Sequence, residues 1–297
     1  MSPRAKPLRS RGDRTAVVAT FDVTRACLSR CEHCYHRRAA PAGRDLQVTT
    51  MLAGLARLRR LWGIQAALWS GGEPLLRLAL LRSAMRLFSG NLVMTSAMVP
   101  IPDDLGCGVL VSVDGPRELH DGLRGSGAFE RAMGHIRRLT RGTFALATTL
   151  TARSLDAIEA LPELVEASGA RGVLVGFAVG PRDDALQVRG IERDIAVDRL
   201  HRIGTRHPGV LLNPRAMLEG YRPTAARAIA ESCCYRGRAV AFDPALRVKW
   251  PCTFGDAADC AACSQPLVVA RWAANRGDRA SQSLLDGLFL KRPANGA

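Results

Sequence analysis

Cys27-Leu28-Ser29-Arg30-Cys31-Glu32-His33-Cys34-Tyr35 follows directly on an apolar run, Val17-Val18-Ala19-Thr20-Phe21-Asp22-Val23. The run reads as a strand and the cysteines as the loop at its end. Three thiolates at spacings of four and three can grip three corners of a cubane iron–sulfur cluster. A [4Fe-4S] cluster ordinarily takes four thiolates. No fourth cysteine stands nearby, so one iron would stay open to another ligand. Two other readings fit the triplet: a structural zinc loop with His33 or His36 as fourth ligand, or a set of buried thiols.

Outward from this loop, apolar runs alternate with helical patterns. Strands are predicted over 17–23, 66–70, 91–95, 108–113, 144–150 and 172–178, with helices over 49–62, 75–88, 126–140 and 154–168. Leu52, Leu55, Leu58 and Leu61 read as one apolar stripe, with Arg57, Arg59 and Arg60 off it. Ser154 and Gly169 are start and stop signals for the last of these helices. Such alternation implies parallel strands, in a doubly wound sheet or a barrel. In both, ligands bind at the C-terminal strand ends. The cysteine loop, Ser70-Gly71-Gly72-Glu73-Pro74 and Ser112-Val113-Asp114-Gly115-Pro116 all fall at such ends.

The pattern loosens after about residue 180. Residues 194–207 and 214–231 read as helical. A hairpin is predicted around Asp243-Pro244-Ala245, with strands 239–242 and 246–250. Cysteines flank it: Cys233 and Cys234 before, then Cys252, Cys260 and Cys263. Four thiolates that include a C-x-x-C pair fit a zinc ribbon by count as well as a cubane. From about Asn275 apolar periodicity is weak, which predicts a frayed tail.

Nine cysteines in 297 residues, grouped rather than scattered, point to metal rather than to disulfides. Cys107 stands alone in an apolar run and reads as a buried small hydrophobe. No apolar run is long enough to span a membrane. The basic first ten residues lack the apolar core of a secretory signal, so a cytoplasmic location is expected. The net charge of +15 comes almost wholly from arginines spread along predicted helices; Lys6, Lys249 and Lys291 are the only lysines. That distribution reads as a solvated basic surface rather than a nucleic-acid footprint. Neither nucleic acid nor membrane is expected as a partner.

The C-x-x-x-C-x-x-C-Tyr loop, Gly71-Gly72-Glu73-Pro74 about forty residues on, Ser112-Val113-Asp114-Gly115-Pro116 with His120-Asp121 and Arg124-Gly125, and the C-terminal cysteines together resemble the radical S-adenosylmethionine (SAM) enzymes. More closely, they resemble those with a SPASM or twitch auxiliary-cluster segment, over roughly residues 17 to 265. The resemblance implies an α/β fold, a partial (β/α)6 barrel with a small C-terminal cysteine-rich segment. Its divisions would be a basic N-terminal tail 1–16, the barrel 17–205, the twitch-like segment 206–270 and a C-terminal tail 271–297.

It also implies the sites. Cys27, Cys31 and Cys34 would hold the [4Fe-4S] cluster whose open iron binds SAM. Gly71, Gly72 and Glu73 would hold the methionine amino group, and Ser112 and Arg124 would contact SAM. Asp114 is the candidate catalytic residue or else orders its turn. His120 and Asp121 are expected to be local structure. Thr149 or Thr151, and Val175 or Phe177, are candidates for the adenosine or for plain core. Cys234, Cys252, Cys260 and Cys263 would hold a second [4Fe-4S] cluster, with Cys234 favoured over Cys233 because seventeen residues separate it from Cys252.

The implied activity is reductive cleavage of SAM to a 5′-deoxyadenosyl radical, which abstracts hydrogen from a substrate, with the auxiliary cluster as electron acceptor. The partners would be a one-electron donor such as flavodoxin or ferredoxin, and a small polar molecule or a ribosomal peptide as substrate. The barrel begins within about twenty residues of the start, which leans toward a small molecule or a peptide brought by a delivery partner. The alternative is a non-catalytic zinc or iron–sulfur scaffold.

Overall fold

Eight strands form one sheet in the computed structural model, which describes residues 17–39, 43–256 and 258–289. The first half runs β1 (Val17–Asp22), α1 (Tyr35–Ala39), α2 (Val48–Trp62), β2 (Ile64–Ser70), α3 (Leu78–Met85), β3 (Gly90–Thr95) and β4 (Gly108–Ser112). Then come α4 (Arg117–Arg124), α5 (Ala128–Ile136), β5 (Ala145–Leu150), α6 (Ala157–Ser168), β6 (Val173–Phe177) and α7 (Gly190–Arg206). The chain closes with α8 (Arg215–Gly220), α9 (Ala226–Glu231), β7 (Ala239–Phe242), β8 (Val248–Lys249), α10 (Pro266–Asn275) and α11 (Arg279–Leu288). Strand order is β6-β5-β4-β3-β2-β1-β7-β8, parallel throughout except for β8. None of the described helices is long and apolar enough to cross a membrane.

Both faces of the sheet are buried, which is why its strands read as near-continuous apolar runs. Alternate residues face opposite sides. Phe21, Trp69 and Phe242 lie in register on three neighbouring strands, with ring centroids 5.3 and 5.2 Å apart, and Trp62 of α2 meets Phe242 edge-on. Thr20, Leu68, Leu92, Leu110 and Leu174, one step away from that row or its equivalents, line a cavity on the other face. Cys107 is buried, as expected.

Several expectations are corrected. β7 of the hairpin pairs with β1, so residues on both sides of the expected division at 206 share one sheet. The four residues of β7 are all buried, and full burial of Phe242 is worth about 1.5–3 kcal/mol. The expected tail carries α11, whose Leu285 and Leu288 join the core. Asp278 caps it by accepting from Ser281 N–H. Residues 1–16 and 290–297, the remainder of the expected tails, lie outside the described residues.

Leu61 is 66% exposed, whereas Met51 and Leu55 are buried and Leu58 packs against the core. Steps of three lag a helical turn, so nine residues from Leu52 the side chain has swung about half a turn away. The predicted helix 126–140 begins with α5, and α4 before it had no apolar stripe to betray it. Residues 214–231 are two helices, divided at Pro223, which cannot continue one. Gly169 does end α6, in the left-handed conformation.

Candidate active site

The cysteine loop leaves β1 and is pinned from two sides. Gly72 N–H donates to Thr24 O at 2.9 Å and Glu73 N–H to Ala26 O at 2.8 Å, so the segment after β2 runs along the loop backbone. A Cβ on Gly72 would stand 2.0 Å from Ala26 O, and Gly71 sits at φ +121°. The two glycines thus serve loop packing, and a side chain at either would displace the cysteines. From the far side Glu32 N–H donates to Leu123 O at 2.9 Å, at the end of α4.

Each of the three sulfurs receives one N–H. Ser29 N–H reaches Cys27 Sγ at 3.4 Å, Arg37 N–H reaches Cys34 Sγ at 3.4 Å, and Arg124 Nη1 reaches Cys31 Sγ at 3.8 Å. Donors aimed at sulfur suit anionic thiolates and tune a bound cluster. Burial pushes the Cys27 and Cys31 thiols above their usual range. The donor set therefore fits an iron–sulfur cluster on Cys27, Cys31 and Cys34.

Arg124 is held by Asp114, whose Oδ2 accepts from Nε at 2.6 Å. Asp114 Oδ1 accepts from Thr149 N–H at 2.9 Å, and its Oδ2 lies 3.5 Å from His33 Nε2. Burial alone would raise Asp114, but Arg124 and then His33 outweigh it and bring the carboxyl down to about 2. A permanently ionised, enclosed carboxylate orients its neighbours and is poorly suited to proton exchange. Burial, helped by Arg124, pushes His120 down to about 4, so it stays neutral and its Nδ1 accepts Asp114 N–H at 3.1 Å. Asp121 accepts from Gly127 and Phe129 N–H. His120 and Asp121 are local structure, as expected.

The Glu73 carboxylate is fully buried and accepts from Leu75 N–H, Thr95 Oγ1, Ser96 N–H and Ser96 Oγ at 2.6–3.2 Å. Those four donors fill a carboxylate's acceptor positions, so the Glu73 side chain ties the ends of β2 and β3 together.

The cavity inside the sheet measures about 140 Å³. Ser112, Thr149 and Phe177 line it; Thr151, bonded to Ser154, and Val175 do not. Its wall includes His33 and Tyr35 from the cysteine loop, and Thr253, Phe254 and Gln265 from the C-terminal segment. Gly176 admits that segment: a Cβ there would stand 2.9 Å from Pro266.

A second cavity of about 140 Å³ is lined by Cys233, Cys252, Cys260 and Cys263. Cys234, the expected ligand, faces a different cavity bounded by Thr20, Arg238 and Arg271. Cys233 directly precedes the short helical turn 234–236, and the two neighbouring thiols lie within hydrogen-bond reach of each other. A hydrogen bond from Cys234, opposed by burial and aided by Tyr235 N–H, draws the Cys233 thiol below its usual range. Phe254 and Gln265 N–H serve Cys252 and Cys263, the i to i+2 pattern seen at Cys27. Among the described residues no three metal-binding side chains converge as a lone ion would require.

Sequence reasoning missed Lys249. Its Nζ donates to Asp22 Oδ2 at 2.8 Å, with both groups buried. Asp22 also meets His36 Nδ1 at 3.2 Å and Ser70 Oγ at 3.0 Å. Burial would raise Asp22, but His36 and Lys249 hold it below its usual range. This pair fastens the C-terminal segment to the cysteine loop. Lys249→Met should cost about 3 kcal/mol in denaturant unfolding by stranding Asp22, and adding Asp22→Asn should recover most of it.

Neither a protein-family model nor a curated protein matches the sequence. Solved structures do. The chain matches anSMEcpe with bound AdoMet at a TM-score of 0.59 and 12% identity, over 90% of this chain and 82% of that one. It matches Streptococcus suis SuiB bound to S-adenosylmethionine at 0.61 and 13%, and SuiB bound to the precursor peptide SuiA at 0.61 and 12%. In both SuiB cases the match spans 80% of this chain and 60% of SuiB. The chain has the radical SAM fold. In a radical SAM barrel the mouth is the C-terminal end of the strands, and here that end carries the cysteine loop, the Gly71-Gly72-Glu73 segment and the Asp114–Arg124 pair.

Proposed function

We propose that this protein is a radical SAM enzyme in which a hydrogen-abstraction site lies between two iron–sulfur clusters. Cys27, Cys31 and Cys34 would hold the SAM-binding cluster, and Cys233, Cys252, Cys260 and Cys263 the auxiliary one. With SAM bound, the first cluster supplies one-electron cleavage of the sulfonium and a 5′-deoxyadenosyl radical. Arg124, fixed by Asp114 and set beside Cys31, would be the guanidinium that meets a carboxylate at the mouth. Ser112 and Thr149 offer hydroxyls from the cavity wall. Tyr35, Phe254 and the strand leucines exclude water.

The observation that carries this reading is the shared wall of the central cavity. Tyr35, next to Cys34, and Phe254, two residues past Cys252, both line it with ring centroids 5.4 Å apart. A substrate radical formed there would sit between an initiating and an accepting centre. Cys233, Cys252, Cys260 and Cys263 line one cavity, which supports a four-thiolate centre there.

Of the two substrate classes, the cavity favours an uncharged, largely apolar reacting group. Leu68, Leu92, Met94, Leu110 and Leu174 dominate the wall, and its described lining residues include no carboxylate, lysine or arginine. A peptide side chain fits this better than an ammonium-bearing cyclitol, and SuiB, of the same fold, was solved with a precursor peptide. The test is anaerobic reconstitution, which should give about eight irons per chain and 5′-deoxyadenosine on adding SAM and dithionite. Zinc in place of iron, with SAM left intact, would favour the scaffold instead.

A further inference from the structure

Arg193 sits on α7, 3% exposed, with its guanidinium carbon 4.9 Å above the Phe177 ring. Its Nη1 donates to Ala262 O at 3.0 Å. Its Nε and Nη2 are buried and reach no acceptor. A buried guanidinium with two idle donors is costly and calls for an anion. The acidic groups nearby are committed elsewhere. Asp259 is paired with Arg189 at 3.0 Å and accepts Ala261 N–H, and Tyr221 donates its hydroxyl to Val175 O. What remains is the thiol of Cys263, the residue after Ala262, whose carbonyl Arg193 already holds. Cys263 opens into the four-thiol cavity.

We propose that Arg193 is the counter-charge of the auxiliary cluster, donating its idle N–H groups to the anionic sulfur at Cys263 and raising that cluster's reduction potential. Cation and hydrogen bonds at sulfur favour the more negative, reduced state. Arg193 is therefore a positioning and tuning residue, set between the auxiliary cluster and the Phe177 wall of the central cavity. A centre that must accept an electron from a substrate radical works better when its reduced form is stabilised in this way. The inference rests on the auxiliary-cluster reading above.

The test uses the full chain carrying Cys31→Ala, so that the auxiliary cluster is the one measured. Iron and sulfide are counted first, and the cluster is then titrated under spectroscopic observation. Arg193→Gln should lower the reduced-to-oxidised ratio at fixed potential about tenfold, equivalent to about 59 mV for a one-electron couple. Arg193→Lys keeps the charge and loses the fork, so its shift should be smaller and of the same sign. If a fully loaded Arg193→Gln cluster titrates at the unchanged potential, the inference fails and the cluster assignment stands. Should Arg193→Gln not fold, an unchanged potential in Arg193→Lys overturns it equally. No iron in the Cys31→Ala chain would instead overturn the auxiliary cluster itself.

Discussion

Cys31→Ala should reduce 5′-deoxyadenosine release to the level of reductant and SAM without protein, while iron falls from about eight to about four per chain. Cys31 is the middle ligand of a loop whose other two thiols cannot retain a cubane alone. It is also the sulfur that Arg124 reaches, with Arg124 held in turn by Asp114 and Asp114 by Thr149. The loop's backbone is fixed independently, by Gly72 and Glu73 on one side and Leu123 on the other. The variant should therefore fold normally and keep its second cluster, so the loss reads as chemistry and not as unfolding. Iron and sulfide analysis with chromatographic detection of the nucleoside checks both halves. Undiminished nucleoside release would remove the basis for the whole assignment.

The second large effect separates two adjacent cysteines. Cys233→Ala should cost the auxiliary cluster, about four irons, whereas Cys234→Ala should retain it. Cys233 shares a cavity with Cys252, Cys260 and Cys263, and its thiol accepts from Tyr235 N–H. Cys234 lines a neighbouring cavity, toward Arg238 and Arg271, and is absent from the lining of the four-thiol one. With three thiolates left, Cys233→Ala would also lack the saturated coordination an electron-transfer centre needs. Substrate turnover should therefore fall while SAM cleavage at the first cluster continues. Iron counts per chain decide the matter, and the opposite pattern, with Cys234→Ala the deficient variant, would refute the cavity assignment.

Much of this was legible in the chain itself, because it depends on local order. The apolar runs located six parallel strands to within a few residues. Loops between them had to lie at strand ends, so the cysteine triplet, Gly71-Gly72-Glu73 and Ser112 to Arg124 were bound to gather at one mouth. His120 and Asp121 form bonds within a few residues of themselves, which is why their structural role could be anticipated.

Side-chain direction and long-range pairing were beyond reach of the pattern. Spacing along the chain could not tell Cys233 from Cys234, since both thiols sit at one turn and only the packing of Cys252, Cys260 and Cys263 around Cys233 separates them. Glu73 could be named but not aimed, because its donors come from Thr95 and Ser96 on another strand. The Asp22–Lys249 pair joins residues 227 positions apart, and Arg193 meets Ala262 across 69. Such partners are chosen when β7 settles beside β1 and α7 clasps the C-x-x-C turn. Sequence thus determined the fold and the kinds of ligand it carries, because apolar period and thiol spacing are local quantities. Tertiary packing alone decided which sulfur, which carboxylate and which guanidinium face the chemistry, because buried charges and donors take the partners that folding brings within about 3 Å.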